Sequence, residues 1–285
     1  MDSCALLESK GVEVTYLRPQ SDGIVSINDL NNAIKKNTRL VTIMTANNEI
    51  GTIQKIKEIG DICSEKGIIF HTDATQALGK VGFDVQQMNV SLASFSAHKI
   101  YGPKGIGALY INSQDPHIKL SPLALGGGHE QGLRSGTLNV PGIVGFGKAV
   151  EISLDYFLED SERIRHLHHQ MRSYIVANIP NVRLNGNQDM CLPGLINVSF
   201  DDIDADSLLL ELSDIALSSG SACNTAKREP SHVLQALGLN KTVAQSSVRF
   251  GLGRFNTERE VLYTCRKLKA AVERLRSMIP QQCPA

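Results

Sequence analysis

Ser94-Phe95-Ser96-Ala97-His98-Lys99-Ile100-Tyr101-Gly102-Pro103-Lys104-Gly105 is the stretch from which the fold of this chain is read. An apolar, strand-like segment from Ser91 to Ala97 ends in polar residues and breaks into a turn rich in glycine and proline. A lysine at the end of a buried strand must be paired, neutral or covalently used, because an unpaired ammonium there is costly. A Schiff base to pyridoxal 5'-phosphate is one such use, and the protein then supplies an acidic partner for the pyridine nitrogen. Asp73 is a candidate for that partner, at the end of the strand-like Ile68-Ile69-Phe70-His71-Thr72-Asp73. Two ordinary strand ends with polar loops would look the same, so these stretches alone leave the chemistry open.

A third stretch narrows it. Ser218-Ser219-Gly220-Ser221-Ala222-Cys223 sets one cysteine in a loop of small residues. Small side chains impose little steric order, so a thiol there suits a nucleophile that must visit two places; the bland alternative is a buried structural cysteine. Downstream, Ser231 is placed to N-cap a helix carrying Val233, Leu234 and Leu237.

Working outward, helical and strand patterns alternate. A helix is expected over Ile27 to Lys36, a strand over Leu40 to Thr45, a helix over Ile56 to Lys66, and strands over Ile68 to Asp73 and Leu92 to Ala97. Such alternation implies a mostly parallel sheet covered on both faces. Asn48, Asp73 and Lys99 each lie just beyond a carboxyl edge, where open α/β sheets bind ligands. A helical stretch over about Val140 to Ile179 leads to a smaller α+β unit with strands Val182 to Leu184 and Leu195 to Phe200. Helices over Ala205 to Leu212 and Thr257 to Met278 complete it. Formal net charge is zero, with 29 basic and 29 acidic residues. There is therefore no electrostatic footprint for nucleic acid or an anionic membrane. Six cysteines without CxxC pairing argue against a disulfide framework or zinc site and fit a reducing compartment. No apolar run approaches the ~20 residues that span a bilayer.

Taken together, the chain resembles the NifS/IscS-type cysteine desulfurases, fold-type I pyridoxal-phosphate enzymes. The resemblance rests on Asn47-Asn48-Glu49-Ile50-Gly51, His71 to Gln76, Ser94 to Gly107, Gly126 to Glu130 with Arg134 to Thr137, Ser218 to Cys223, and Ser246 to Phe250. These stretches stand in the family's order across essentially the whole chain. The short cysteine loop is similar to the IscS branch more than to the SufS or selenocysteine lyase branches. The fold implied is α/β, a mostly parallel sheet with helices on both faces, plus a smaller α+β C-terminal domain. The division expected is a cofactor-binding domain over 1–155 and a small domain over 156–285.

The resemblance also implies roles. Lys99 would hold the cofactor and, once released, act as base at Cα. Asp73 would keep the pyridine nitrogen protonated, and Gln76 would bond the phenolic oxygen. Ser96 and His98 would bind the phosphate, reached by Thr137 from the other subunit of a homodimer. Arg249, with Asn48 beside it, would take the carboxylate of L-cysteine; Arg254 is its rival and resembles a surface or structural arginine. Cys223 would attack the substrate sulfur, leaving alanine and a persulfide. His129 is a candidate base for that thiol, or packs its own Gly-rich loop. His71 is expected to pack in the core and Lys104 to sit on the solvated hairpin. His166-Leu167-His168-His169 reads as a solvated or subunit-facing patch, with no metal site.

The family's chains are longer, and the resemblance implies that this one begins inside a helix, which leads into a strand over Val12 to Leu17. A phosphate-binding turn, a ring-stacking histidine and a C-terminal tail that docks scaffold proteins would then be missing. Loose cofactor binding and weak activity are the consequence expected. Sulfur-acceptor or scaffold proteins are the implied partners, feeding iron–sulfur cluster assembly or tRNA thiolation. A cytoplasmic protein is expected, or one of the mitochondrial matrix if a targeting segment lies upstream. A silent homologue that only dimerises or binds partners, and a selenocysteine lyase, remain as alternatives.

Overall fold

The computed structural model describes residues 2–219 and 230–278. Helix α1 (Asp2–Glu8) is followed by a segment in which a strand was expected at Val12 to Leu17. No strand forms there, because among the described residues it has no neighbour with which to exchange hydrogen bonds. Tyr16 instead turns back to bond Glu8 at 2.9 Å, and Leu17 packs against the first core. Helix α2 (Ile27–Ala33) begins at Ser26, whose hydroxyl accepts the Asp29 N–H. Then follow β1 (Leu40–Thr42), α3 (Ile56–Glu65), β2 (Ile69–Asp73), β3 (Leu92–Ser96) and β4 (Gly107–Ile111).

These strands form one sheet in the order β1-β2-β3-β4, parallel across β1-β2-β3 and antiparallel at β4. Val41, Phe70 and Ala93 lie on one face, where they meet Leu30 of α2 and Ile56, Ile59 and Cys63 of α3. Along the opposite face His71 joins Thr42 at 2.7 Å and Ser94 at 2.9 Å. His71 therefore bridges three strands through both ring nitrogens, half-buried, rather than packing in the apolar core as expected.

The helical stretch expected over about Val140 to Ile179 consists of two helices, α4 (Val140–Asp155) and α5 (Phe157–Asn178), joined at Tyr156. Beyond them lie β5 (Val182–Leu184), β6 (Leu195–Phe200), α6 (Ala205–Glu211), β7 (Ser218–Ser219), α7 (His232–Ala236), α8 (Lys241–Gln245), β8 (Ser247–Gly251) and α9 (Glu258–Ser277). The second sheet runs β5-β6-β8-β7, antiparallel throughout. Strand β6 alternates strictly. Ile196, Val198 and Phe200 enter a core with Leu167 and Met171 of α5 and Cys265 and Leu268 of α9, while Asn197 and Ser199 point the other way.

That second, polar face positions the site. Asn185 donates to Asn197 at 2.8 Å and to Ser199 at 2.7 Å, and Ser199 meets Ser247 at 2.7 Å. Asn197 in turn donates to the Glu49 carbonyl at 3.0 Å, which docks the loop after β1 against the second sheet. Ile50 completes the joint by packing on Leu234, Leu237 and Ala244 of the α7–α8 region.

Candidate active site

Lys99 is positioned by the packing of its neighbours in the chain. It lies in a 3-10 turn, Ala97–Ile100, that follows β3. Ala97 and Ile100 are buried against Phe146 and Ala149 of α4, so the turn is seated firmly and Lys99 is carried at its surface. Tyr101 closes the turn with φ 66° and its N–H on the Ala97 carbonyl. The loop bearing Gln76 approaches the same helix at Gly79. A side chain there would meet Ser153 Cβ at 2.9 Å, and φ is +67°, so glycine alone fits comfortably.

A cleft of about 270 Å³ opens between the two sheets, lined among others by Asn48, Gln76, Lys80, Lys99, Arg249 and Arg254. Arg249, on the polar face of β8, donates Nε–H to Ser218 at 3.1 Å and Nη1–H to the Asn48 carbonyl at 2.7 Å. Asn48 thus stands beside Arg249 as foreseen, but through its backbone. Arg254 is structural, as expected. It pairs with Asp160 at 2.5 Å, and its guanidinium carbon lies 5.3 Å from the Tyr101 ring centroid and 5.8 Å from that of Tyr156.

The remaining candidates fall outside this lining. Asp73 ends β2 with an exposed carboxylate whose Oδ1 accepts the Thr75 N–H at 2.9 Å. It pairs in register with Ser94, so Asp73, Ser94 and Ser96 share the sheet face that carries His71. Ser96 and His98 form a polar pair at 2.8 Å immediately before Lys99. His129 is exposed and lies against Gly127 of its own loop, where an added Cβ would stand 2.6 Å from the ring. Thr137 is exposed, with its carbonyl bonded by Arg134. Lys104 is exposed in the turn before β4. Cys223 lies outside the described residues, but Ser231 N-caps α7 as foreseen, accepting from Val233 and Leu234.

Two groups were not foreseen, Lys80 in the cleft and Glu49 next in the chain to its Asn48. Lys80 donates to Gln76 Oε1 at 2.7 Å. Burial, helped by the nearby Lys99 charge, pulls it down to about 8. Its position four residues after Gln76 is the only sequence signal. Glu49 is buried, and burial pushes its carboxyl up to about 7 against the opposing pull of Ser231 and Arg249. It stood within a quoted stretch, Asn47 to Gly51, without a role. The His166 cluster is partly corrected: His168 is buried and meets the Leu195 carbonyl at 3.2 Å, while His166 and His169 are exposed. Among the described residues no group of three metal-ligating side chains occurs.

Residues 3–263 match the aminotransferase class-V family. A mitosomal cysteine desulfurase of Encephalitozoon cuniculi is 50 % identical over 280 residues, which cover 98 % of this chain and 64 % of that relative. The cysteine desulfurase IscS of Cronobacter sakazakii is 48 % identical, with 98 % and 69 % covered. A solved NifS-like protein superposes with a TM-score of 0.86 at 36 % identity, covering 95 % of this chain and 71 % of the other. The chain belongs to the class-V aminotransferase family and, within it, to the NifS/IscS-type cysteine desulfurases. It spans about three fifths of the length of several curated relatives, among them 64 %, 62 % and 55 %. The family implies pyridoxal phosphate, and the donor set fits that group. A lysine amine, an exposed carboxylate on the neighbouring strand, a Ser–His pair and an amide held by Lys80 stand around one carboxyl edge.

Proposed function

We propose that the chain carries the chemistry of a cysteine desulfurase: L-cysteine is converted to L-alanine while its sulfur passes to Cys223. The observation that carries this reading is the cleft that gathers Lys99, Gln76, Asn48 and Arg249 from elements of both sheets. Pyridoxal phosphate bound through Lys99 supplies an electron sink that makes the substrate Cα–H acidic and the Cβ–S bond breakable. Asp73 holds the pyridine nitrogen, Gln76 donates its amide to the phenolic oxygen, and Ser96 with His98 takes the phosphate. Thr137 completes that phosphate site from a second copy, in a homodimer. Lys80 orients Gln76: by occupying Oε1 it leaves the NH₂ to donate.

Arg249 offers a planar fork suited to the substrate carboxylate, with Asn48 at its side. Lys99 moves the Cα proton. The Cys223 thiolate attacks the substrate sulfur; the Cβ–S bond breaks, an S–S bond forms, and alanine leaves with the proton count conserved. An unperturbed thiol near ~8.5 is only slightly ionised at neutral pH, so a base must help, and His129 is assigned that role. The persulfide then goes to acceptor or scaffold proteins of an iron–sulfur or tRNA-thiolation route. The cofactor domain extends over 1–155 and the small domain over 156–285, which is supported by the helix break at Tyr156. Relatives named as mitosomal or mitochondrial, and one from a bacterium, support the cytoplasm or the mitochondrial matrix as its place.

Two variants test the assignment. Lys99→Ala should lose the borohydride-trapped cofactor adduct and all turnover. Cys223→Ser should keep the cofactor yet form no persulfide, because oxygen is a poorer nucleophile toward sulfur. An undiminished adduct in the first, or sulfide release at the parent rate in the second, would overturn it.

A further inference from the structure

Turning the Gln76 amide needs one hydrogen-bond donor, and Lys80 brings a full positive charge to the task. Its ammonium donates one N–H to Gln76 Oε1 at 2.7 Å, and its other two N–H groups have no partner among the described residues. The Gln76 NH₂ is likewise without an acceptor there. Both side chains line the cleft, together with Lys99, Arg249 and Arg254, against one acidic residue, Asp160. Asp160 is taken by Arg254 and Arg163. Lys80 therefore has a neighbour of its own sign, Lys99, and no counter-ion among the described residues. Burial without a counter-ion is costly for an ammonium, and it pulls Lys80 down to about 8.

The two side chains are also fixed in place. The turn that carries them follows β2, with Ala74 and Ala77 fully buried and the Lys80 N–H on the Ala77 carbonyl at 3.0 Å. Leu78 packs against Ile100 and Phe146, and Gly79 meets Ser153 of α4. Donors held by such a turn are preorganised, so a ligand meets them without first ordering them.

We propose that Lys80 and Gln76 form a two-donor seat for a single anionic oxygen on an aromatic ring, with Lys80 a binding residue in its own right. The inference rests on the assignment of Gln76 to the cofactor's phenolic oxygen, and it names the charge that makes this oxygen an anion. The donor chemistry selects the class. A carboxylate suits the planar fork of Arg249, and a phosphate has the Ser96–His98 pair. A compact ammonium and an NH₂ within one hydrogen-bonded unit stand close together, which suits one oxygen atom rather than a wide anion. A phenol ionises more readily beside a cation, and the phenolate in return supplies the counter-ion that Lys80 lacks. Arg249 and Arg254 are held by Asn48 and Asp160, so Lys99 is the other charge bearing on the seat.

The experiment is carbon NMR of the full chain with lysine labelled at Cε, the Lys80 signal assigned by its loss in Lys80→Arg. The probe is 2,4-dinitrophenolate, ionised throughout the titration, with 2,4-dinitroanisole as the same ring without the charge. Saturating dinitrophenolate should raise the Lys80 midpoint by about one pH unit, while dinitroanisole and propionate leave it in place. At pH 7 dinitrophenolate should bind Lys80→Met about tenfold more weakly than the parent, and dinitroanisole should bind both alike. A Lys80 midpoint that ignores the phenolate overturns the proposal, and this arm decides if Lys80→Met fails to fold. So does equal phenolate binding by parent and Lys80→Met, which would leave Lys99 or Arg249 as its partner. An equal rise with propionate would make Lys80 a site for any anion and defeat the aromatic class. Neither readout uses the cofactor. A chain that shows the coupling but yields no borohydride-trapped adduct with pyridoxal phosphate refutes the proposed function and leaves the seat standing. An adduct beside an unmoved Lys80 refutes the seat alone.

Discussion

At the scale of single residues, Glu49 ties folding to pH. Its carboxyl is pushed from an ordinary 4.5 up to about 7, chiefly by burial. The folded chain therefore binds a proton there that the unfolded chain has already released. Stability from this group is full below about 4.5, falls as pH rises from there, and levels off above about 7. At ~1.4 kcal/mol for each pH unit, the whole loss is about 3 kcal/mol. Glu49→Gln keeps the hydrogen-bonding shape without the charge, so it should remove that downward slope and stabilise the chain at pH 8. Urea midpoints at pH 5 and pH 8 check this; equal slopes in parent and variant would refute it. Lys99 was legible in the sequence because a charged residue ending an apolar strand is conspicuous by itself; Arg249, in the middle of β8, was reached through the family resemblance. Glu49 and Lys80 were not legible, because their behaviour comes from burial and from partners. The Asn48–Arg249 bond alone spans 201 positions.

At the scale of elements, local signals were read well and pairings less so. Helix α9 announces itself through Thr257 and Glu260. The structure closes a capping box there: Thr257 accepts the Glu260 N–H, and Glu260 accepts the Thr257 N–H at 2.8 Å. Thr257→Ala should cost about 1 kcal/mol, read as a lowered urea midpoint with an unchanged slope. A midpoint equal to the parent's would mean the cap is redundant with α9's packing through Cys265 and Leu268. The strand at Val12 to Leu17 shows the opposite case. Its alternation is strand-like, yet strand formation is decided by a neighbour's hydrogen bonds, which no local pattern encodes. Strand β4 was passed over for the same reason: Gly107–Ile111 gains its identity by pairing antiparallel with β3.

At the scale of the whole molecule, the cleft exists because distant pieces are tied across it. One tie is the joint of Glu49, Asn197 and Ile50. The other is Arg254, which follows β8 and reaches both Asp160 on α5 and Tyr101, two residues beyond Lys99. Its backbone N–H bonds the Tyr101 hydroxyl at 2.6 Å, and its guanidinium pairs with Asp160, the two side chains only 18 % and 14 % exposed. Gly253 makes room for this contact, since a Cβ there would stand 2.5 Å from the Tyr101 hydroxyl. A largely buried pair that loses one partner leaves the other charge short of a counter-ion, at a cost of up to about 3 kcal/mol. Arg163, 3.4 Å from Asp160, keeps part of that charge paired, so Arg254→Ala should destabilise the chain by less than that amount, but by more than Asp160 and Arg254 replaced together by Asn and Met. The double-mutant cycle separates an electrostatic tie from mere loss of packing, because additive effects would show that Asp160 and Arg254 act independently. The same variant should loosen the seat of Lys99 through Tyr101. Hydrogen exchange of the Tyr101 amide, which bonds Ala97, should speed up in Arg254→Ala; an unchanged rate would place the tie outside the site's support.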